Sequence, residues 1–112
     1  MGKLSREKGK RGEREVVKLF EGHGIPAHRS QQFCGSNGDA DVVTGLGDLI
    51  HVEVKRVEVT KIHEWMKQAE SDAPFGSYPM VFHRRSNEDW KVTLRADDMV
   101  DLLSSFYEGD KE

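Results

Sequence analysis

Two short apolar runs joined by a glycine-flanked turn constrain this chain more than any other feature. Ala40-Asp41-Val42-Val43 and Ile50-His51-Val52-Glu53-Val54-Lys55 are separated by Gly45-Leu46-Gly47-Asp48. The second run alternates with the period of a β-strand. His51, Glu53 and Lys55 therefore project to one face, and Ile50, Val52 and Val54 to the other. Folding the hairpin of residues 40–56 about Gly47 brings position 41 opposite position 53, where Cβ atoms lie roughly 5 Å apart. Two carboxylates so opposed destabilise a ladder unless a cation lies between them. Asp41 and Glu53, with Lys55 on the same face, form a candidate divalent-metal site with a lysine beside it. An ordinary hairpin with a solvated outer face of Asp, Glu and Lys would share the alternation, but the opposed carboxylates count against it.

The chain has 112 residues, enough for one domain with a modest core. No run of about 18 apolar residues occurs, so nothing is expected to span a membrane. The basic N-terminus lacks the apolar segment of a secretory leader. Cys34 is the single cysteine. It excludes an internal disulfide framework, fits a reducing cytoplasm and, with scattered histidines, offers no zinc spacing. Gly35-Ser36-Asn37-Gly38 is not followed by the Gly-Lys-Ser/Thr of a phosphate-binding loop. The net charge of -3 is unevenly spread: residues 1–30 carry +4, residues 31–96 carry -2 and residues 97–112 carry -5. A basic N-terminal arm of about residues 1–8 could lie on phosphates, while an acidic tail of about residues 107–112 stays away from them. A merely solvated, frayed terminus has the same composition.

Periodicity predicts a first helix from about Ser5 or Gly9 to Glu21, ending at Gly22-His23-Gly24. Glu13, Val16, Val17 and Phe20 fall at i, i+3, i+4 and i+7, so Glu13 shares the buried stripe. A carboxylate there is costly without a partner, which makes Glu13 the helix carboxylate of interest. Glu15 faces the other way, where a surface ion pair with Arg11 or Lys18 would explain it. A short strand is expected at Ala27-His28-Arg29-Ser30, then a flexible loop over residues 31–38, then the hairpin. A second helix covers about Lys61 to Asp72, with Ile62, Trp65, Met66 and Ala69 inward. Strands follow at Tyr78 to Arg84 and Trp90 to Leu94. A last helix over Ala96 to Phe106 carries Met99, Leu102, Leu103 and Phe106 as its stripe. The expected order is α-β-β-β-α-β-β-α, an α/β fold with a mixed sheet flanked by helices.

Gly12-Glu13-Arg14-Glu15, Arg29-Ser30, Asp41 in an apolar strand and Glu53-Val54-Lys55 together resemble the archaeal-type Holliday junction resolvases. That family lies within the restriction-endonuclease-like PD-(D/E)xK nucleases. The resemblance covers roughly residues 8–85 and is more specific to the superfamily than to junction resolvases. It departs in having Ala40 where a proline often precedes the strand aspartate, in a longer loop between Ser30 and Asp41, and in the acidic tail. It implies a single nuclease domain with a restriction-endonuclease-like core. Glu13, Asp41 and Glu53 would organise Mg²⁺, for which Mn²⁺ could substitute, and the Val54 carbonyl would complete the shell. Lys55 would position or activate the attacking water. Arg29 and Ser30 would sit near the scissile phosphate, and Lys8, Lys10, Arg11 and Arg14 would add DNA contacts. Oxygen ligands suit such a hard cation. The implied activity is metal-dependent DNA hydrolysis on branched DNA. A four-way junction has two-fold symmetry, so a homodimer with two metal sites is expected, its interface drawn from Phe75, Tyr78 or the last helix with Phe106 and Tyr107. A nuclease for linear or flapped DNA and a non-catalytic nucleic-acid-binding module are the alternatives.

Overall fold

The computed structural model describes residues 3–30, 39–107 and 109. The expected loop of residues 31–38, Cys34 included, and most of the acidic tail lie outside the described residues. Helix α1 spans Lys3–Gly22. Residues 3–8, anticipated as an arm, therefore form its first turns, as a segment rich in Lys, Arg, Glu and Leu permits. The helix ends where Gly24 adopts a left-handed φ of 84° and Ile25 N–H returns to Phe20 O at 3.0 Å. Such a turn favours glycine because it carries no Cβ.

Strand β1 (Ala27–Arg29) pairs antiparallel with β2 (Val42–Thr44), which pairs antiparallel with β3 (Ile50–Arg56). A 3-10 turn at Gly47–Leu49 leads into β3, and Gly47 supplies its φ of 64°. Helix α2 (Ile62–Asp72) carries the chain back so that β4 (Tyr78–Arg84) runs parallel to β3, paired from Ile50–Tyr78 through Arg56–Arg84. A parallel neighbour requires such a crossover. Strand β5 (Lys91–Thr93) closes the far edge antiparallel to β4, and α3 (Ala96–Ser104) follows. The sheet order is β1-β2-β3-β4-β5. This is the α-β-β-β-α-β-β-α succession expected from the sequence, with shorter ends on β5 and α3.

Strand β3 is central, and helices cover both of its faces. Val52 and Val54 pack with Val42 and with Val16 of α1, flanked by Val17 and Phe20. On the other side Trp65 and Ala69 of α2 pack on Val81, with Ile62 and Met66 beside them. Glu53 pairs with Val81 across the parallel ladder, so it lies on the α2 side. Helix α3 behaves differently. Met99, Val100, Leu103 and Phe106 are exposed, and α3 contains no buried residue.

Candidate active site

The β2–β3 register pairs Val42 with Val52, as folding about Gly47 requires. One step further the ladder departs from the expected face-to-face pairing of 41 with 53. The N–H of Asp41 donates to Val52 O at 2.8 Å, so Asp41 and Val42 both oppose Val52. This is a β-bulge, a device that re-aims a side chain. The bulge turns the carboxyl toward β3, where Oδ2 accepts the Val54 N–H at 2.8 Å. Its main-chain oxygen accepts the Ser30 N–H at 3.0 Å. Asp41 is thereby tied to the end of β1 and to β3 at once.

Glu53, next to Val54 on β3, is close enough to act on this carboxyl electrostatically. Burial first, then the Glu53 charge and, less strongly, Glu13 together push the Asp41 carboxyl up from 3.8 to about 7. The Val54 N–H acts in the opposite direction, because it stabilises the ionised form. Glu53 is itself buried, at 4% exposed. Its Oε2 lies 2.7 Å from His51 Nε2, and both side chains are nearly sealed from water. His51, marked by alternation alone as sharing the face of Glu53, is thus its direct partner.

Glu13 sits at the upper edge of the α1 stripe, half-buried, and accepts from Arg29 Nε at 2.9 Å. Arg29 and Ser30 end β1 beside Asp41. The structure therefore brings Glu13, Arg29, Ser30, Asp41, Glu53 and Val54 into one neighbourhood. Lys55 follows Glu53 on the same face and opens into a groove of about 620 Å³ that is also lined by Lys8, Arg56, Val59, Lys61 and Trp65. Lys10, Arg11 and Arg14 are exposed on α1. Lys8 instead donates to Glu58 at 2.6 Å. Lys8, then Ser86, pull the Glu58 carboxyl down to about 2.

Among the described residues no group of three His, Cys, Asp or Glu side chains forms a ready-made metal cluster. The donor chemistry of Asp41 and Glu53 nevertheless fits a hard cation that keeps several waters. Their crowding, registered in the raised Asp41, is what such a cation would relieve.

Glu15 departs from its expected surface pair with Arg11 or Lys18. Its Oε1 lies 3.0 Å from Arg84 Nη1 and 3.5 Å from Arg56 Nε, and it accepts from Trp90 Nε1 at 3.0 Å. It pins α1 across β3, β4 and the approach to β5. Only the parallel pairing of β3 with β4 reveals these distant partners, so no local signal marked them.

A model of the family described as "Phage putative PDDEXK endonuclease" matches residues 4–109. The chain belongs to that family. PD-(D/E)xK nucleases share the restriction-endonuclease-like core, and the α/β architecture above is of that kind. Among solved structures, the chain is similar to Hjc, a Holliday junction resolvase from Archaeoglobus fulgidus, at 26% identity and a TM-score of 0.58. The match covers 77% of this chain and 76% of that one. No curated protein sequence matches the chain. Within this PD-(D/E)xK member, no helix among the described residues is long and apolar enough to cross a membrane.

Proposed function

We propose that this chain is a divalent-metal-dependent DNA endonuclease that cuts branched DNA, four-way junctions included, as a homodimer. The observation that carries this reading is the bulged Asp41 held against buried Glu53, with Lys55 next on the strand. Asp41 and Glu53 would hold Mg²⁺, with the Val54 carbonyl available nearby and Glu13 recruited from its pair with Arg29. When bound, a divalent cation supplies Lewis acidity and neutralises charge at the phosphodiester. Lys55 orients the attacking water and stabilises charge developing at phosphorus. Arg29 and Ser30 steady the flanking phosphate. The basic groove beyond Lys55 gives the strand a path, and Lys10, Arg11 and Arg14 add sequence-independent attraction.

Branched substrate and dimer draw support from the similarity to Hjc, a Holliday junction resolvase. The exposed apolar residues on and just after α3 add to this. Phe75, Val100, Leu103, Phe106 and Tyr107 are exposed, and Phe75 shares a groove with Arg95 and Asp98 at the start of α3. The Tyr78 hydroxyl donates to Asp101 and ties β4 to the same helix. A two-fold partner seated there would bury that surface and present two sites at fixed spacing.

Cleavage of a labelled four-way junction beside a duplex of the same arms, in Mg²⁺ and in EDTA, tests the proposal alongside sedimentation. The expected result is EDTA-sensitive nicking, preference for the junction and a dimer at micromolar concentration. Cleavage unaffected by EDTA would overturn the metal site. A monomer without junction preference would leave a nuclease for linear or flapped DNA.

A further inference from the structure

His51 lies two residues before Glu53 on the same face of β3, 3% exposed, with its Nε2 2.7 Å from Glu53 Oε2. Neither position is a surface accident. Both are on the side of the sheet covered by α2, and the neighbouring strand offers Pro79 opposite His51 and Val81 opposite Glu53. Those neighbours give the carboxylate nothing to bond to. Glu53 is crowded from one side by Asp41 and held from the other by the imidazole.

We propose that His51 is the positioning residue of the metal site: its Nε2–H fixes Glu53 through Oε2 so that the carboxylate is oriented toward Asp41 before any cation binds. The inference rests on the metal-site reading above and names a residue outside the proposed ligand set. A free carboxylate rotates about its last torsion, and in a buried setting it would turn to whatever donor it found. One short bond from a sealed imidazole removes that freedom. Carboxylate ligands are themselves commonly hydrogen-bonded, and losing such an outer partner costs roughly 10–100-fold in metal affinity.

Side-chain reach gives a discriminating pair of variants. In glutamine the amide nitrogen sits as far along the chain as Nε2 of histidine. In asparagine it is one bond shorter and falls short of Oε2. Both are polar and smaller than imidazole, so both burden the core comparably. Direct Mn²⁺ binding to the full chain, followed by electron paramagnetic resonance, should weaken by about 10-fold or more in His51→Asn and by no more than about 3-fold in His51→Gln. Thermal unfolding without metal should move similarly for both, and DNA binding in EDTA should change for neither. If His51→Asn binds Mn²⁺ like the wild type, or if His51→Gln loses as much as His51→Asn, the positioning role is overturned while the metal site stands. Wild-type protein that binds no Mn²⁺ would overturn the metal site and this inference with it.

Discussion

The two faces of β3 come from alternate residues of one strand and are built on opposite principles. Toward α1, Val52 and Val54 meet Val16 and Val42 in an apolar contact that needs nothing but shape. Toward α2, His51 and Glu53 are equally buried, but each is polar and depends on a named partner. The first face is stable because like packs on like. The second is costly on its own, with the Asp41 carboxyl pushed up to about 7 by burial and by the Glu53 charge. A fold that keeps such a face beside such a core spends stability from one to maintain the other. Substitutions on the first face should therefore be read in stability, and on the second chiefly in chemistry, with stability gained where a crowded charge such as that of Asp41 is removed.

The sharpest test of this contrast is Asp41→Asn. Cleavage should fall by at least roughly 100-fold, since a proposed ligand and its charge are lost. Stability should move the other way, and pH fixes the sign. Asp41 is raised from 3.8 to about 7 in the folded protein. Between those values the native state binds more protons than the unfolded chain, so this group lowers stability as pH rises through that window. Asparagine has no proton to lose. In metal-free buffer the variant should match wild type near pH 4 and exceed it at pH 8 by up to about 4 kcal/mol. Denaturant unfolding at the two pH values measures it. A variant less stable than wild type at pH 8 would mean that the polar face is not under strain.

Much of this contrast could be read in advance, and the parts that could not have a common cause. Alternation in residues 50–55 marked both faces of β3, and counting about Gly47 brought Asp41 to Glu53. Both rest on local periodicity. The bulge at Asp41 breaks the count by one residue, because its N–H shares Val52 O with the paired Val42. Periodicity alone cannot foresee that. Nor can it tell a solvated polar face from a buried one: His51 and Glu53 are sealed only because α2 returns over the sheet on the parallel crossover. The partners of Glu15 escape local periodicity for the same reason. Arg84 and Trp90 lie 69 and 75 residues away in the chain, joined to it by tertiary pairing rather than by spacing. The α3 stripe shows the reverse case, a correct periodicity most of whose apolar residues, Met99, Leu103 and Phe106 among them, stay exposed among the described residues.

A smaller effect is expected where α1 meets the apolar face. A Cβ on Gly12 would lie 2.9 Å from Arg56 Cβ and 3.3 Å from Val54 Cγ1. Neither neighbour is the loose end of a flexible chain, so the helix itself must shift. Gly12→Val should cost about 1–3 kcal/mol through overpacking, seen as a lowered unfolding midpoint. The residual folded fraction should still bind Mn²⁺. Unaltered stability would show that α1 rides on the sheet more loosely than the contact distances imply.

The finest distinction lies within α1, between two glutamates two residues apart. Glu13 points to Arg29 and the Asp41 neighbourhood, whereas Glu15 bridges Arg56, Arg84 and Trp90. The Glu13 pair is partly open to water, and such pairs are worth about 0–1 kcal/mol. Glu13→Gln should therefore leave the unfolding midpoint almost unmoved while slowing cleavage by roughly 10-fold, a factor that corresponds to about 1.4 kcal/mol in the barrier. Glu15→Gln strips the charge opposite two arginines. The Arg56 Nε is already buried without a hydrogen-bond partner among the described residues, and its ion pair with Glu15 offsets that. Losing that should cost on the order of 1–3 kcal/mol of stability, with cleavage per folded molecule within about 3-fold of wild type, because nothing at Asp41 or Glu53 has moved. Unfolding curves and single-turnover cleavage on the same preparations separate the two. If both variants lose stability alike, Glu13 belongs with the scaffold. If both lose activity alike, the network around Glu15 reaches the site through β3, and the division between the two faces fails at α1.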